Sequence, residues 1–173
     1  MKKVLSKVGL LTLLTVGSMA GDMYGSIGTA FTSVSGYDSG VSAVATAGMK
    51  LDKIMPNFGV EVELSKTLVD PSMSFFGGSL DTSILNVGTY AVYYVEVPNS
   101  SLVIKPRLGL NYQNWTGSYS DDGYIGNFDV AASDTALSYG VGVTYPLGNL
   151  NIYADYTDEG DSTNIGVGVG MAF

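Results

Sequence analysis

Seven charged residues, Lys50, Glu61, Glu63, Glu96, Lys105, Arg107 and Asp155, are spaced so that they could act together. Each sits in a stretch where apolar and polar residues alternate. At period two, each falls on the face that also carries Ser, Thr, Asn and Gln. Charges of both signs on one enclosed face have two uses. They can pair into a salt-bridged plug, where opposed charges and hydrogen bonds offset the cost of leaving water. They can also line a narrow ion path, with cation preference because Glu61, Glu63, Glu96 and Asp155 outnumber Lys50, Lys105 and Arg107. The sequence leaves both uses open.

Other groupings fall short of chemistry. The stretch GYDSG at 36–40 sets Ser39 beside Asp38, but a nucleophilic serine needs a base and the chain has no histidine. The pairs Asp121 with Asp122 and Asp158 with Glu159 lie in glycine-rich loops, where acidic residues serve as solvated turn formers. There is no cysteine, which excludes disulfides, thiol chemistry and thiolate metal sites. Gly166, Gly168 and Gly170 alternate with apolar residues at the end of the chain. They lack the G-x-G-x-x-G spacing and the following helix of a nucleotide loop. Acidic residues crowd the expected outer loops, but without EF-hand spacing. The expectation is therefore no enzyme, no cofactor and no dedicated metal site.

The elements that would position the seven charges are strands. Alternation recurs in eight stretches: 23–31, 41–51, 58–66, 85–97, 102–114, 136–145, 150–156 and 164–173. One face carries Ala43, Ala45 and Ala47, then Val60, Val62 and Leu64, then Leu108 and Leu110, then Val141 and Val143, and holds no charge at these central positions. The other face holds the seven charges among neutral polar residues. The final strand sets Ile165, Val167, Val169, Met171 and Phe173 opposite three glycines and Ala172. Pro106 fits badly, since it cannot donate to a ladder; a bulge at Lys105–Arg107 is the expected accommodation.

The chain opens on MKKVLSKVGLLTLLTVGSMA, with lysines at 2, 3 and 7, an uncharged apolar run and a small-x-small ending. That is the layout of a secretory signal peptide over residues 1–20, and the run is too short for a spanning helix. Residues 21–173 form one further domain. Without the three leader lysines, its balance is 5 cations minus 16 acids, or −11, which argues against a nucleic-acid partner.

Alternation alone fits a soluble sandwich as well as a membrane barrel. The connections separate them, because they alternate between long (TSVSGYDSG, TLVDPSMSFFGGSLDTSI, WTGSYSDDGYIGNFDVAASD) and short (DKIMPN, PNSS, PLGN). Aromatic residues add two belts on the apolar face: Phe58, Tyr145 and Phe173 toward the short turns, Phe31, Tyr112 and Tyr156 toward the long loops. The expected fold is all-β: an eight-stranded antiparallel transmembrane β-barrel with short periplasmic turns and longer extracellular loops.

The leader, the eight alternating strands and the last strand ending in Phe173 resemble the OmpA-like family of small outer-membrane barrels of Gram-negative bacteria. The resemblance implies location in the cell outer membrane, contact with outer-membrane lipid and lipopolysaccharide, and passage through periplasmic chaperones and the barrel assembly machinery. It implies that Phe173 is part of the assembly signal and that the barrel is a monomer. It implies no peptidoglycan-binding role, because no periplasmic domain is appended. Three roles follow as alternatives: a structural or surface-interacting barrel with a plugged lumen, a narrow cation-preferring channel, and an adhesin acting through its loops.

Overall fold

The computed structural model describes residues 23–75, 78–121 and 128–173; the expected signal peptide lies outside them. Ten β segments follow in order: β1 (Met23–Val34), β2 (Gly40–Lys50), β3 (Phe58–Val69), β4 (Ser72–Phe75), β5 (Gly78–Tyr93), β6 (Val95–Glu96), β7 (Val103–Asp121), β8 (Phe128–Leu147), β9 (Leu150–Asp158) and β10 (Ser162–Ala172). All pairings are antiparallel, and the order β1, β2, β3, β5, β7, β8, β9, β10 returns to β1. Eight strands thus close on themselves, which removes the edges an open sheet would leave. β4 continues the β3 column along β5, and β6 continues the β5 column along β7.

Alternation in the sequence becomes alternation in exposure. Along β5, Thr82, Ile84, Asn86, Gly88, Tyr90 and Val92 are buried while Leu85, Val87, Thr89 and Ala91 are exposed. The outward set of the barrel is apolar and faces lipid: Ile27, Leu64, Leu108, Leu110, Val141, Val143, Ile165 and Val167 are all well exposed. The lumen is mostly polar, floored by a hydrophobic cluster of Tyr90, Val92 and Tyr94 with Tyr24 packed against it.

The glycines of β10 make this lumen fit. Gly168 and Gly170 pair with Tyr153 and Asn151 of β9. A Cβ on Gly168 would stand 2.6 Å from the Tyr153 ring, and one on Gly170 would stand 2.6 Å from the Asn151 amide oxygen. The bare face of the last strand is the room that its neighbour's side chains occupy.

Pro106 causes no bulge. The β7–β8 register runs unbroken through Lys105↔Gly142, Pro106↔Val141 and Arg107↔Gly140. On the other side the ladder stops at Val92↔Arg107 and resumes in the same register at Val95↔Ile104. The missing donor is absorbed by this gap between β5 and β6, so Lys105 and Arg107 both stay inward. The register shift of the barrel falls elsewhere, at Val41/Ser42.

The larger departure from expectation lies above the membrane. The two longest expected loops are largely strand: β4, the upper half of β5, the upper half of β7 and the start of β8 form a projecting sheet. From Phe128 to Thr135 every residue of β8 is exposed. β8 pairs with β7 from Phe128 to Thr144, but with β9 only from Tyr139 onward. Its stretch 128–138 therefore has one unpaired edge among the described residues.

Candidate functional site

Period two sends β3, β7 and β9 side chains into the same lumen, and there five of the seven expected charges meet. Lys105 Nζ donates to Glu61 Oε1 at 2.6 Å, and Arg107 Nη1 donates to Glu63 Oε2 at 2.7 Å. Arg107 also lies 3.8 Å from Glu61 and 3.6 Å from Asp155, and its second terminal nitrogen donates to Thr157. The guanidinium stands 4.7 Å over the Tyr90 ring. Side chains of Arg107, Glu61 and Glu63 are 6%, 1% and 5% exposed. The planar guanidinium, with five donors in a fixed fork, serves several of these oxygens at once.

Tyrosines extend the cluster downward. Tyr24 donates its single proton to Glu61 at 2.5 Å, so in the 2.5 Å contact between the hydroxyls of Tyr24 and Tyr94, Tyr94 is the donor. Lys50 joins the lumen but no ion pair: among the described residues no carboxylate lies within salt-bridge distance, and its Nζ stands 5.0 Å over the Tyr94 ring.

Glu96 keeps the inward parity, opposite the lumen-lining Val103, but joins no ion pair among the described residues. The strand breaks at Tyr94, and in the two-residue β6 both Val95 and Glu96 are exposed at the periplasmic rim. Phe173 is 75% exposed on the lipid side, and its N–H donates to the Met23 carbonyl at 2.8 Å, tying the end of the chain to its first strand.

One lumen acid was assigned to solvent by its sequence context. Glu159 sits in the turn between β9 and β10, yet it is 1% exposed. Its Oε2 accepts from Asn86 Nδ2 at 2.7 Å and from the Ser162 hydroxyl at 3.2 Å, with Gln113 Nε2 at 3.4 Å. No cation pairs with it among the described residues. Burial, reinforced by the charge of Glu63, pushes its carboxyl up to about 7. Its Oε1 and the Oδ1 of Asn86 are both buried without a hydrogen-bond partner among the described residues. A proton on Glu159 removes its uncompensated charge and turns an unpartnered acceptor into a donor. The signal was present in the sequence: Asn151, Tyr153, Asp155 and Thr157 face inward, and the same period two, carried past the strand end, reaches Glu159.

No cluster of three or more His, Cys, Asp or Glu suited to a metal ion occurs among the described residues. A closed eight-stranded ring with apolar exterior, charged lumen and short turns at one end is the architecture of an outer-membrane barrel, and residues 8–173 match the family described as outer membrane protein beta-barrel domain. The chain belongs to that family. The barrel's location is accordingly the outer membrane. No curated protein matches the sequence. Among solved structures, the barrel is similar to Ail, the attachment invasion locus protein of Yersinia pestis, with 21% identity over 90% of this chain and 100% of that one, TM-score 0.60. Neisserial surface protein A is similar with 22% identity over 88% and 96%, TM-score 0.55. OprG of Pseudomonas aeruginosa shows 16% identity over 89% and 96%, TM-score 0.54. At these identities the likeness speaks to the fold.

Proposed function

We propose that the protein is a plugged barrel that acts at the cell surface, docking an extended segment of a partner protein on the free edge of β8. The observation that carries this is the unpaired stretch 128–138. Its backbone groups on one side have no ladder partner among the described residues, and an edge of that kind accepts an added strand. Beside it runs a groove of about 450 Å3, lined by Leu80, Trp115, Val130 and Ala132 among others, which offers pockets for alternate side chains. Asp129, Asp134 and Asp161 are exposed around it, as are Asp38, Asp70 and Asp81 elsewhere on the projecting loops. The partner strand is therefore basic. The plug supports the same reading, because ion pairs filling an eight-stranded lumen leave the surface as the working part. Outer-membrane lipid and lipopolysaccharide surround the barrel in this proposal, and Phe173 serves its assembly.

Trp115 is the one tryptophan of the chain and pairs with Ala132, so its emission reports on the edge. A peptide of alternating lysine and valine is the probe, added to the refolded protein in detergent. Saturable change in Trp115 emission is expected. In an antiparallel strand neighbouring N–H groups point to opposite sides, so of Ala131→Pro and Ala132→Pro one removes an edge donor and the other a β7-facing donor. Binding lost in the edge variant supports the proposal; an emission that ignores the peptide, or binding unchanged in both variants, overturns it.

A further inference from the structure

Below the Arg107 cluster the lumen holds a cavity of about 190 Å3. Its walls are the periplasmic ends of the strands, among them Tyr24, Lys50, Glu61, Tyr94, Lys105 and Asp155. Arg107 stands at its inner end, so it opens toward the short turns. At about 30 Å3 per water, the space holds roughly six waters or one solute of a few heavy atoms, less than a drug-sized ligand occupies.

The charges of this cup decide what it can take. Both acids on its wall are engaged: Glu61 by Lys105 at 2.6 Å and by the Tyr24 hydroxyl, and Asp155 by Arg107 at 3.6 Å. A cationic ligand would have to displace Lys105 or Arg107. The hydroxyl protons of Tyr94 and Tyr24 are committed along the chain to Glu61. Lys50 is the cation left over, with a ring face beside it and no carboxylate partner among the described residues. Ser26, Thr46, Thr144 and Asn151 add neutral donors around the same space. On the wall stand Lys50, Lys105 and Arg107 with Glu61 and Asp155; Arg107 is shared with Glu63 behind the wall, so these charges balance, and Lys50 is the one cation among them that no carboxylate partners among the described residues.

We propose that the lower lumen is a binding cup for a small solute bearing an anionic oxygen group, a carboxylate or a phosphate, held by Lys50 and reached from the periplasm. This reverses the cation preference that counting charges along the sequence suggests. It is independent of the β8 edge.

The test uses the refolded full barrel in detergent micelles, with folding of every variant checked by its gel mobility before and after boiling. Isothermal titration is run with three probes: inorganic phosphate, acetate and the dication putrescine. Saturable binding of phosphate, of acetate or of both is expected, and which arm binds identifies the group; putrescine should not bind. Lys50→Gln should weaken the binding at least tenfold and Lys50→Arg should retain it. Lys53→Gln, on the exposed turn outside the cup, should leave it unchanged. Binding by neither anion, binding of putrescine in their place, or equal affinity in Lys50→Gln and wild type would each overturn the cup.

Discussion

Two buried glutamates a short way apart in one lumen are kept by opposite means. Glu63, in the middle of the barrel, has a guanidinium 2.7 Å away. Glu159, at the outer mouth, has two carboxamides, a hydroxyl and no cation. The first is a charge compensated by a charge; the second is a carboxyl best kept by a proton. A lumen with four acids and three bases is thus divided: Lys50, toward the periplasm, stands apart from the ion pairs, and Glu159, toward the outside, has no cation among the described residues.

The largest effect should come from breaking the first arrangement. Arg107→Ala leaves Glu63 buried without its partner and should lower unfolding stability by about 3–5 kcal/mol in a denaturant titration. Adding Glu63→Gln should restore part of the loss, since the two residues are coupled. In planar bilayers the wild type should be silent and Arg107→Ala should conduct; steady wild-type steps would remove the plug.

The second arrangement is sharpened by pH. The folded carboxyl of Glu159 lies at about 7, above its ordinary value of 4.5, so the folded state binds the proton more tightly than the unfolded chain. The protonated pair with Asn86 then stabilises the barrel fully below pH 4.5, and this contribution is lost as pH rises through 7. Across that window the wild type should lose about 1–3 kcal/mol that Glu159→Gln, neutral throughout, does not lose. Parallel pH profiles for the two proteins would remove Glu159 from this role.

The smallest effect belongs to a third glutamate that makes no buried contact. Glu96→Gln, at the exposed rim, should change stability by less than about 0.5 kcal/mol at any pH. A loss comparable to that of Arg107→Ala would tie Glu96 into the ion-pair cluster after all.

Glu96 and Glu159 also show where the sequence stops being readable. Both lie past the regular part of a strand, and period two assigns both inward. At Glu159 the parity holds, because the turn folds back into the mouth and Asn86 and Gln113 wait there. At Glu96 the parity holds as well, since β6 resumes the ladder with Glu96 opposite the inward Val103, but the position lies at the open rim, where no cation partners it among the described residues. The eight strands and the meeting of Lys105, Arg107, Glu61, Glu63 and Asp155 were legible because lipid on one side and lumen on the other force every residue to choose a face. The projecting sheet was not, because water touches both faces of residues 128–135 and no alternation is needed there. That Lys50 would stand apart from the ion pairs depends on distances across the barrel, which no spacing along the chain encodes.

The seam of the barrel joins the two ends of the chain: Tyr24 to Val34 of β1 pairs with Ala172 to Ser162 of β10. Almost the whole sequence separates these partners, so closure is the longest-range event in the fold and carries its largest loop entropy. The first strand can find β2 early but cannot find its other neighbour until β10 has been made. Until then the chain is at best a curved sheet with two sticky margins and an oily back, the kind of species that aggregates in water. Closure of the ring is thereby deferred until β10 is available, however much of the sheet has paired before it.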